Sequence, residues 1–276
     1  MGLKHKERDS NLPELRKQLL RSALDDLMND PNVLGIYESG SLARGDFDHY
    51  SDIDLHIVVR SEVKEGYIAE KKSRSAKWGD VLFYEGSAST PYIVTHYECF
   101  VKIDTWYHEK KDLAPSIWLQ GAKTYHDPEL IIQKVIDESK NIAFNVSTDE
   151  IIFWRNKVFA FVHETYRAVM RGELYDALTN LDHVRWFIAS AWYTERGVYL
   201  YNSYHVWSKI ERENTVLSQE QLELLKNWDC DRNATKIMKT ISAIYPEFIR
   251  LNTVLSNKVG ISDDKGLCRK VFDLIL

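Results

Sequence analysis

The sequence predicts an α+β protein with two domains, an N-terminal domain built on a mixed sheet followed by an all-helical C-terminal domain. Short runs of β-branched and aromatic residues dominate the chain up to residue 125, and apolar residues at helical spacing dominate it from residue 129 onward. At 276 residues and 44% hydrophobic content, the chain is long enough to bury two modest cores. We place the boundary after residue 146, which gives domains 1–146 and 147–276.

Helical and strand-like segments are mixed in the N-terminal domain. Leu15, Leu19 and Ala23 lie on one face of a helix predicted over 12–29, which Asp30-Pro31 ends. A second helix is predicted over 62–77. The strand-like runs are 33–37, 53–59, 81–84, 92–96, 100–107 and 122–125. This mixture predicts a sheet against which the first helix packs.

From residue 129 the chain changes to long helical periods. They cover 129–144, 148–171, 174–196, 218–228 and 232–258. Ser147 or Thr148 fits the N-cap of the second of these helices, just before Glu150 and Ile151. The succession predicts an all-helical domain.

A Gly-Ser pair and an Asp-x-Asp pair lie between the first two predicted strands. Ten residues separate Ser41 from Asp52, and Asp54 is two residues further on. Gly40 lets the backbone approach an anion without a Cβ atom in the way, and the Ser41 hydroxyl can donate to phosphate oxygens. Arg44 adds a planar charged group. Each feature alone is common in turns, but together, between two strands, they predict a phosphate-binding site.

The Asp-x-Asp pair predicts a metal ion at the same place. Because side chains alternate along a strand, Asp52 and Asp54 point to the same face. Hard oxygen ligands suit Mg²⁺, which keeps several waters and is usually completed by substrate phosphates. The motif therefore indicates a nucleoside triphosphate together with Mg²⁺.

The run from Gly40-Ser41 to Asp52-Ile53-Asp54 resembles the signature of the nucleotidyltransferase superfamily, which includes DNA polymerase beta. The resemblance implies transfer of a nucleoside monophosphate from a triphosphate to an acceptor hydroxyl, with release of pyrophosphate. It also implies two Mg²⁺ ions, which activate the attacking oxygen and stabilise the leaving one. Gly40, Ser41 and Arg44 would then hold the phosphates.

Two carboxylates rarely suffice for two ions, so we expect a third from a neighbouring strand. The candidates are Asp80, which follows Gly79, and Asp104, which lies in the middle of a long strand-like run. A carboxylate in the middle of a strand is costly unless it binds a metal or an ionic partner, whereas Asp80 fits a turn. We therefore favour Asp104, as metal ligand, as general base for the acceptor hydroxyl, or as both.

Segments of the second half resemble the helical domain of aminoglycoside 6-adenylyltransferases. They are Phe153-Trp154-Arg155, 166–174, 177–178 and Leu181-Asp182, and Lys102-Ile103-Asp104 is similar as well. The resemblance implies AMP transfer from ATP to an antibiotic, with 1–146 as catalytic domain and 147–276 as helical substrate-binding domain. The Gly-Ser and Asp-x-Asp core is closer to the general small-molecule pattern, which lincosamide nucleotidyltransferases share. The acceptor therefore stays open, and a protein or RNA acceptor, as in toxin–antitoxin nucleotidyltransferases, is the alternative.

A further candidate residue and the expected partners follow from sequence position and charge. Lys209 would reach the triphosphate if the helical domain closes one side of the cleft, whereas an exposed lysine is the ordinary alternative. The formal charge of -5 argues against a protein that grips long nucleic acid. We expect a nucleoside triphosphate and a small hydroxyl acceptor as partners, and the sequence leaves a homodimer open.

The cysteines and the apolar segments indicate a reducing compartment. The three cysteines are far apart, without the paired spacing of a zinc site or a disulfide framework. No stretch is long enough to span a membrane. We therefore expect a cytoplasmic enzyme that does not contact membranes.

Overall fold

A computed structural model describes residues 5–198, 200, 207, 210–211 and 215–276. The chain divides into two compact units, Met1–Ala143 and Phe144–Leu276. The first unit contains a mixed sheet and the second is helical, so the predicted α+β class is confirmed. The assignment of catalysis to 1–146 and of substrate binding to 147–276 stays a prediction.

The first unit is built on a six-stranded mixed sheet. Its strands are β1 (Val33–Ser39), β2 (Ile53–Val59), β3 (Val81–Glu85), β4 (Tyr92–Tyr97), β5 (Lys102–Glu109) and β6 (Lys123–His126). Their order across the sheet is β3-β4-β5-β2-β1-β6. β2 and β5 pair in parallel, and the other neighbouring strands are antiparallel. The helices of this unit are α1 (Lys6–Met28), α2 (Gly40–Arg44), α3 (Lys64–Ser75) and α4 (Ile131–Ser139).

The sheet buries its two faces differently. On one face, Ile53, Leu55 and Ile57 of β2 are fully buried in a core with α1 and α3. Full burial of each such side chain contributes about 1.5–3 kcal/mol. On the other face, Val58 packs in a smaller core with Ile132 of α4. Because side chains alternate along β2, Asp54 shares this second face with Val58.

The second unit consists of helices around an apolar core in the described residues. They are α5 (Thr148–Met170), α6 (Leu174–Glu195), α7 (Gln219–Asn227), α8 (Ala234–Val259) and α9 (Lys265–Asp273). Ser147 is the N-cap of α5, since its Oγ accepts from the Glu150 backbone N–H at 3.2 Å. This confirms the predicted cap. In the described ranges, no helix has the length and apolarity needed to cross a membrane.

Several local features of the structure differ from the sequence predictions. The Gly-Ser pair begins the short helix α2 rather than a plain turn. The helix predicted over 129–144 covers only Ile131–Ser139. Helix α9 was not anticipated, although Asp264 caps it by accepting from the Leu267 backbone N–H at 3.4 Å. It is only nine residues long and has Gly266 in its first turn, so its helical pattern is weak.

Candidate active site

Two of the carboxylates lie side by side because β2 and β5 run parallel in register. Asp54 is directly opposite Asp104, between the buried pairs Ile53 with Ile103 and Leu55 with Thr105. The apolar neighbours anchor both strands in the core on the other face of the sheet. This turns the two aspartates to the same face.

The third carboxylate joins them from the residue just before β2. One oxygen each of Asp52, Asp54 and Asp104 lies within 4.8 Å of the other two. All three residues are partly buried. The structure thus brings together the three carboxylates that the sequence predicts, and we call Asp52, Asp54 and Asp104 the acidic cluster. Asp80 lies outside it.

Burial and the charges of neighbouring carboxylates raise the pKa values of Asp54 and Asp104. Burial, followed by the charges of Asp52 and Asp104, raises the pKa of Asp54 to about 6. Burial also raises the pKa of Asp104, although hydrogen bonds from Lys102 counteract the shift. Asp54 and Asp104 are therefore better proton acceptors than an ordinary exposed aspartate.

Lys102 is the cation that the structure places in the acidic cluster. Its Nζ lies 2.6 Å from Asp52 Oδ2 and 2.9 Å from Asp104 Oδ1. Burial opposes the charge on Lys102, but the two hydrogen bonds prevail and raise the pKa of its ammonium group. Lys102 therefore stays protonated.

Gly40 is required by the approach of Asp54. Its backbone has a φ of +71°, and a Cβ atom built on it would lie 1.8 Å from Asp54 Oδ2. Any side chain at position 40 would therefore meet the carboxylate. The antiparallel register explains the contact, since Ser39 of β1 is opposite Asp54 of β2. The anion that Gly40 accommodates in this structure is thus a carboxylate of the acidic cluster.

The other residues of the Gly-Ser segment form the short helix α2. Ser41 is 9% exposed, and its carbonyl accepts from the Asp46 backbone N–H at 3.1 Å. Gly45 ends the helix with a φ of +79°. Arg44, about a third exposed, lies 3.2 Å from Asp46. Ser41 and Arg44 are thus held at the start and the end of a single helical turn beside Gly40.

Arg16 of α1 fixes the loop that leads to Asp52. Its Nη1 donates to the Ser51 carbonyl at 2.7 Å and to the Asp48 carbonyl at 3.2 Å. The side chain is 5% exposed, so removing it would leave two carbonyls without their donor. Arg16 therefore holds the backbone next to Asp52 in place.

A row of stacked rings lies one step along the strands from the acidic cluster. Tyr92, Trp106, His56 and Tyr37 are paired across β4, β5, β2 and β1. The ring centroids of Tyr37 and His56 are 4.5 Å apart and those of Tyr92 and Trp106 are 4.7 Å apart. The row supports the sheet face beside the carboxylates.

His56 connects this row to the Gly-Ser segment. Its Nε2 lies 2.9 Å from Ser39 Oγ, and its Nδ1 lies 3.0 Å from His108 Nε2. Burial, and then the neighbouring His108, lowers the pKa of His56 to about 3. The ring is therefore neutral at pH 7.

The region that carries these features matches a known family. Residues 18–119 match the family described as nucleotidyltransferase domain. These residues form a nucleotidyltransferase domain. The matched range contains Gly40, Ser41 and all three carboxylates of the acidic cluster. The chain is an enzyme of the nucleotidyltransferase class.

Comparisons over the whole chain are more distant. An aminoglycoside 6-adenyltransferase from Bacillus subtilis is 12% identical, with a TM-score of 0.43. The alignment covers 94% of this chain and 96% of the chain of that protein. A nucleotidyltransferase-like protein from Exiguobacterium sibiricum is 12% identical, with a TM-score of 0.45. The alignment covers 88% of this chain and 77% of the chain of that protein. With TM-scores below 0.5, neither neighbour bears on the substrate of this chain. None of the curated proteins matches the sequence.

The donor set of the nucleotidyltransferase domain fits a hard divalent cation. Its three carboxylates offer the oxygen ligands that Mg²⁺ prefers, and the Lys102 ammonium already lies at hydrogen-bond distance from two of them. The arrangement therefore accommodates positive charge where carboxylate oxygens converge.

The structure places several residues near the acidic cluster that the sequence did not predict there. Lys102 could have been found, because it lies two residues before Asp104 and so shares its face of β5. His108 becomes visible only when the parallel pairing of β5 with β2 is known. Arg16 has no local signal, since its partners are more than 30 residues away. Lys209 lies outside the described residues, and its proposed contact with phosphate stays a prediction.

Proposed function

We propose that this enzyme transfers AMP from ATP to a hydroxyl group of a small molecule, such as an aminoglycoside antibiotic, and releases pyrophosphate. The observation that carries the proposal is the convergence of Asp52, Asp54 and Asp104 within 4.8 Å beside Gly40. Carboxylates arranged next to a Gly-Ser segment are what metal-assisted phosphoryl transfer requires, because the chemistry depends on positioning and charge stabilisation.

Mg²⁺ would be held by Asp52, Asp54 and Asp104. When bound, Mg²⁺ supplies charge stabilisation at the attacking and leaving oxygens. The side chains of the domain do the remaining work of orienting the substrates and moving the proton.

Asp104 is the residue to which we assign the proton of the acceptor hydroxyl. Burial raises its pKa, so its carboxylate accepts a proton more readily than an exposed aspartate does. It lies on β5, one strand further from the Gly-Ser segment than Asp54. The acceptor hydroxyl would therefore approach from the β5 side, while the phosphates lie on the β1 side.

Gly40, Ser41 and Arg44 are the residues to which we assign the phosphates. The first N–H groups of a helix have no acceptor within it, and α2 begins at Gly40. The Ser41 hydroxyl adds a donor and Arg44 adds a positive charge. Arg44 is a third exposed and, among the described residues, its ion pair is with a neighbour on its own loop, so it can turn to an incoming phosphate.

Two observations favour a small acceptor. The formal charge of -5 opposes binding to a polyanion and is compatible with a cationic aminoglycoside. The second is the resemblance of 166–174 and neighbouring segments to the helical domain of aminoglycoside 6-adenylyltransferases.

The test is pyrophosphate release with Mg²⁺ and each nucleoside triphosphate in turn, over a panel of aminoglycosides and lincosamides. We expect acceptor-dependent release with ATP. The double variant D52N/D54N provides the inactive control, and Asp80→Asn provides a matched carboxylate change outside the acidic cluster.

Each outcome has a distinct meaning. Release that D52N/D54N abolishes and Asp80→Asn retains supports the proposal and identifies the acceptor. Release that persists in D52N/D54N contradicts the metal assignment. If no small molecule is modified but label from α-labelled ATP appears on protein in a cell extract, a protein acceptor replaces the small molecule.

A further inference from the structure

Lys102 occupies the position between two carboxylates of the acidic cluster. It precedes Asp104 by two residues on β5, so both side chains leave the strand on the same face. Its Nζ lies 2.6 Å from Asp52 Oδ2, and 2.9 Å and 3.0 Å from the two oxygens of Asp104. One ammonium group thus uses lone pairs of two proposed metal ligands at once.

The contacts make the ammonium and a divalent ion competitors. Mg²⁺ needs carboxylate oxygens at about 2.0–2.1 Å, and those of Asp52 and Asp104 are engaged by Lys102. A second cation beside the ammonium would also be repelled by it. The Lys102 side chain is 34% exposed and has a flexible stem, so it can leave the acidic cluster without unfolding of β5.

We propose that Lys102 is the resident counter-ion of the acidic cluster and that a divalent cation binds by displacing its ammonium group from Asp52 and Asp104. The inference rests on the proposed metal site. Lys102 thereby performs two tasks. It stabilises three adjacent carboxylates before the metal arrives, and it sets how tightly the metal is held. It is a positioning residue and takes no part in the chemical step.

The stabilising task follows from the arrangement of charge. Without Lys102, three carboxylates would remain within 4.8 Å of one another with no ammonium between them. Removing the lysine should therefore destabilise the metal-free protein while leaving the ligand oxygens more accessible to a metal ion.

The experiment measures Mn²⁺ binding, as a probe of the divalent site, without nucleotide. Native protein, Lys102→Met and Lys102→Arg are titrated and followed by the electron paramagnetic resonance of free Mn²⁺. We expect the Kd of Lys102→Met to fall by about tenfold, which corresponds to ~1.4 kcal/mol. Lys102→Arg keeps the charge and should keep a Kd close to that of the native protein. Lys111→Met is the matched control, because Lys111 is 77% exposed and pairs with Glu109, outside the acidic cluster.

Thermal unfolding provides the second readout and does not depend on activity. In EDTA, Lys102→Met should unfold at a lower temperature than the native protein. Saturating Mn²⁺ should then raise its midpoint by more than it raises that of the native protein, since tighter binding to the folded state stabilises it more. If Lys102→Met does not fold in EDTA, Lys102→Gln is the replacement, because its amide can still donate to one carboxylate.

The outcomes separate the inference from the function on which it rests. Tighter Mn²⁺ binding in Lys102→Met, but not in Lys111→Met or Lys102→Arg, supports it. An unchanged or weaker affinity in Lys102→Met, with native binding that D52N/D54N abolishes, overturns the role of Lys102 and leaves the metal site standing. No Mn²⁺ binding to either the native protein or Lys102→Met overturns the proposed metal site and this inference together.

Discussion

Replacing Gly40 with alanine tests the packing of the Gly-Ser segment against the acidic cluster. A Cβ atom at this position would lie 1.8 Å from Asp54 Oδ2, and contacts under 3.0 Å essentially never occur. The carboxylate must therefore move by more than 1.2 Å, the difference between 3.0 and 1.8 Å. A displacement of about 1 Å in a catalytic group can lower the rate by about 100-fold.

The same substitution also strains the backbone. The φ of Gly40 is +71°, in the left-handed region, where a residue with a Cβ atom costs about 1–2 kcal/mol. Gly40→Ala should therefore lose about 1–2 kcal/mol of unfolding free energy from strain, together with most of its activity and part of its Mn²⁺ affinity.

Gly172→Ala separates strain from the contact with Asp54. Gly172 has a φ of +74°, and a Cβ atom on it would meet nothing within 4 Å. It should show a similar loss of stability with unchanged Mn²⁺ affinity. The measurements are urea unfolding, Mn²⁺ titration and pyrophosphate release. If Gly40→Ala binds Mn²⁺ as tightly and reacts as fast as Gly172→Ala does, the argument from the contact with Asp54 is wrong.

Three further predictions concern catalysis, pH and the helical unit. Asp104→Asn should lower pyrophosphate release by at least about 100-fold, because it removes a proposed ligand and base, and Asp80→Asn should not; equal losses would contradict the assignment. The pKa of His56 is lowered from 6.5 to about 3, so its stabilising contribution is fully present above pH 6.5 and is lost as the pH falls toward 3. Urea unfolding between pH 7 and 4 should show the native protein losing stability more steeply than His56→Gln, by about 3 kcal/mol at pH 4; parallel curves would refute this. Arg155 is 7% exposed and donates to a side-chain amide, a hydroxyl and a carbonyl, so Arg155→Met should cost about 2–4 kcal/mol. Arg171→Met, at an exposed pair, should cost less than about 1 kcal/mol in the same urea titration, and a comparable loss in both would contradict the burial argument.

The local sequence pattern was sufficient to predict the strands that carry the acidic cluster. The strand predicted over 53–59 coincides with β2, because β-branched residues and an alternation of apolar and polar residues mark it without long-range information. Asp104 could be selected over Asp80 because a carboxylate in mid-strand has a high desolvation cost unless a cation compensates for it. The structure supplies that cation as Lys102.

The pairing of strands that are distant in the sequence could not be predicted. The parallel register of β2 with β5 joins residues 50 positions apart, as in the pair Asp54 and Asp104. The sequence of neither strand indicates that they are neighbours in the sheet, since β3 and β4 lie between them in the chain. For the same reason the contact of His56 with His108 was not foreseen.

The spacing of the motif follows from the geometry of one antiparallel pair. Ser39, the last residue of β1, is opposite Asp54, so Gly40 necessarily begins next to a carboxylate. The chain must then complete the turn of α2 and return to the start of β2, which the residues between Ser41 and Asp52 do. Arg16 holds the segment that returns to β2 by donating hydrogen bonds to the Asp48 and Ser51 carbonyls. The Gly-Ser pair and the Asp-x-Asp pair are therefore the two ends of one loop, and their separation is set by the path that brings the start of α2 and the carboxylates together.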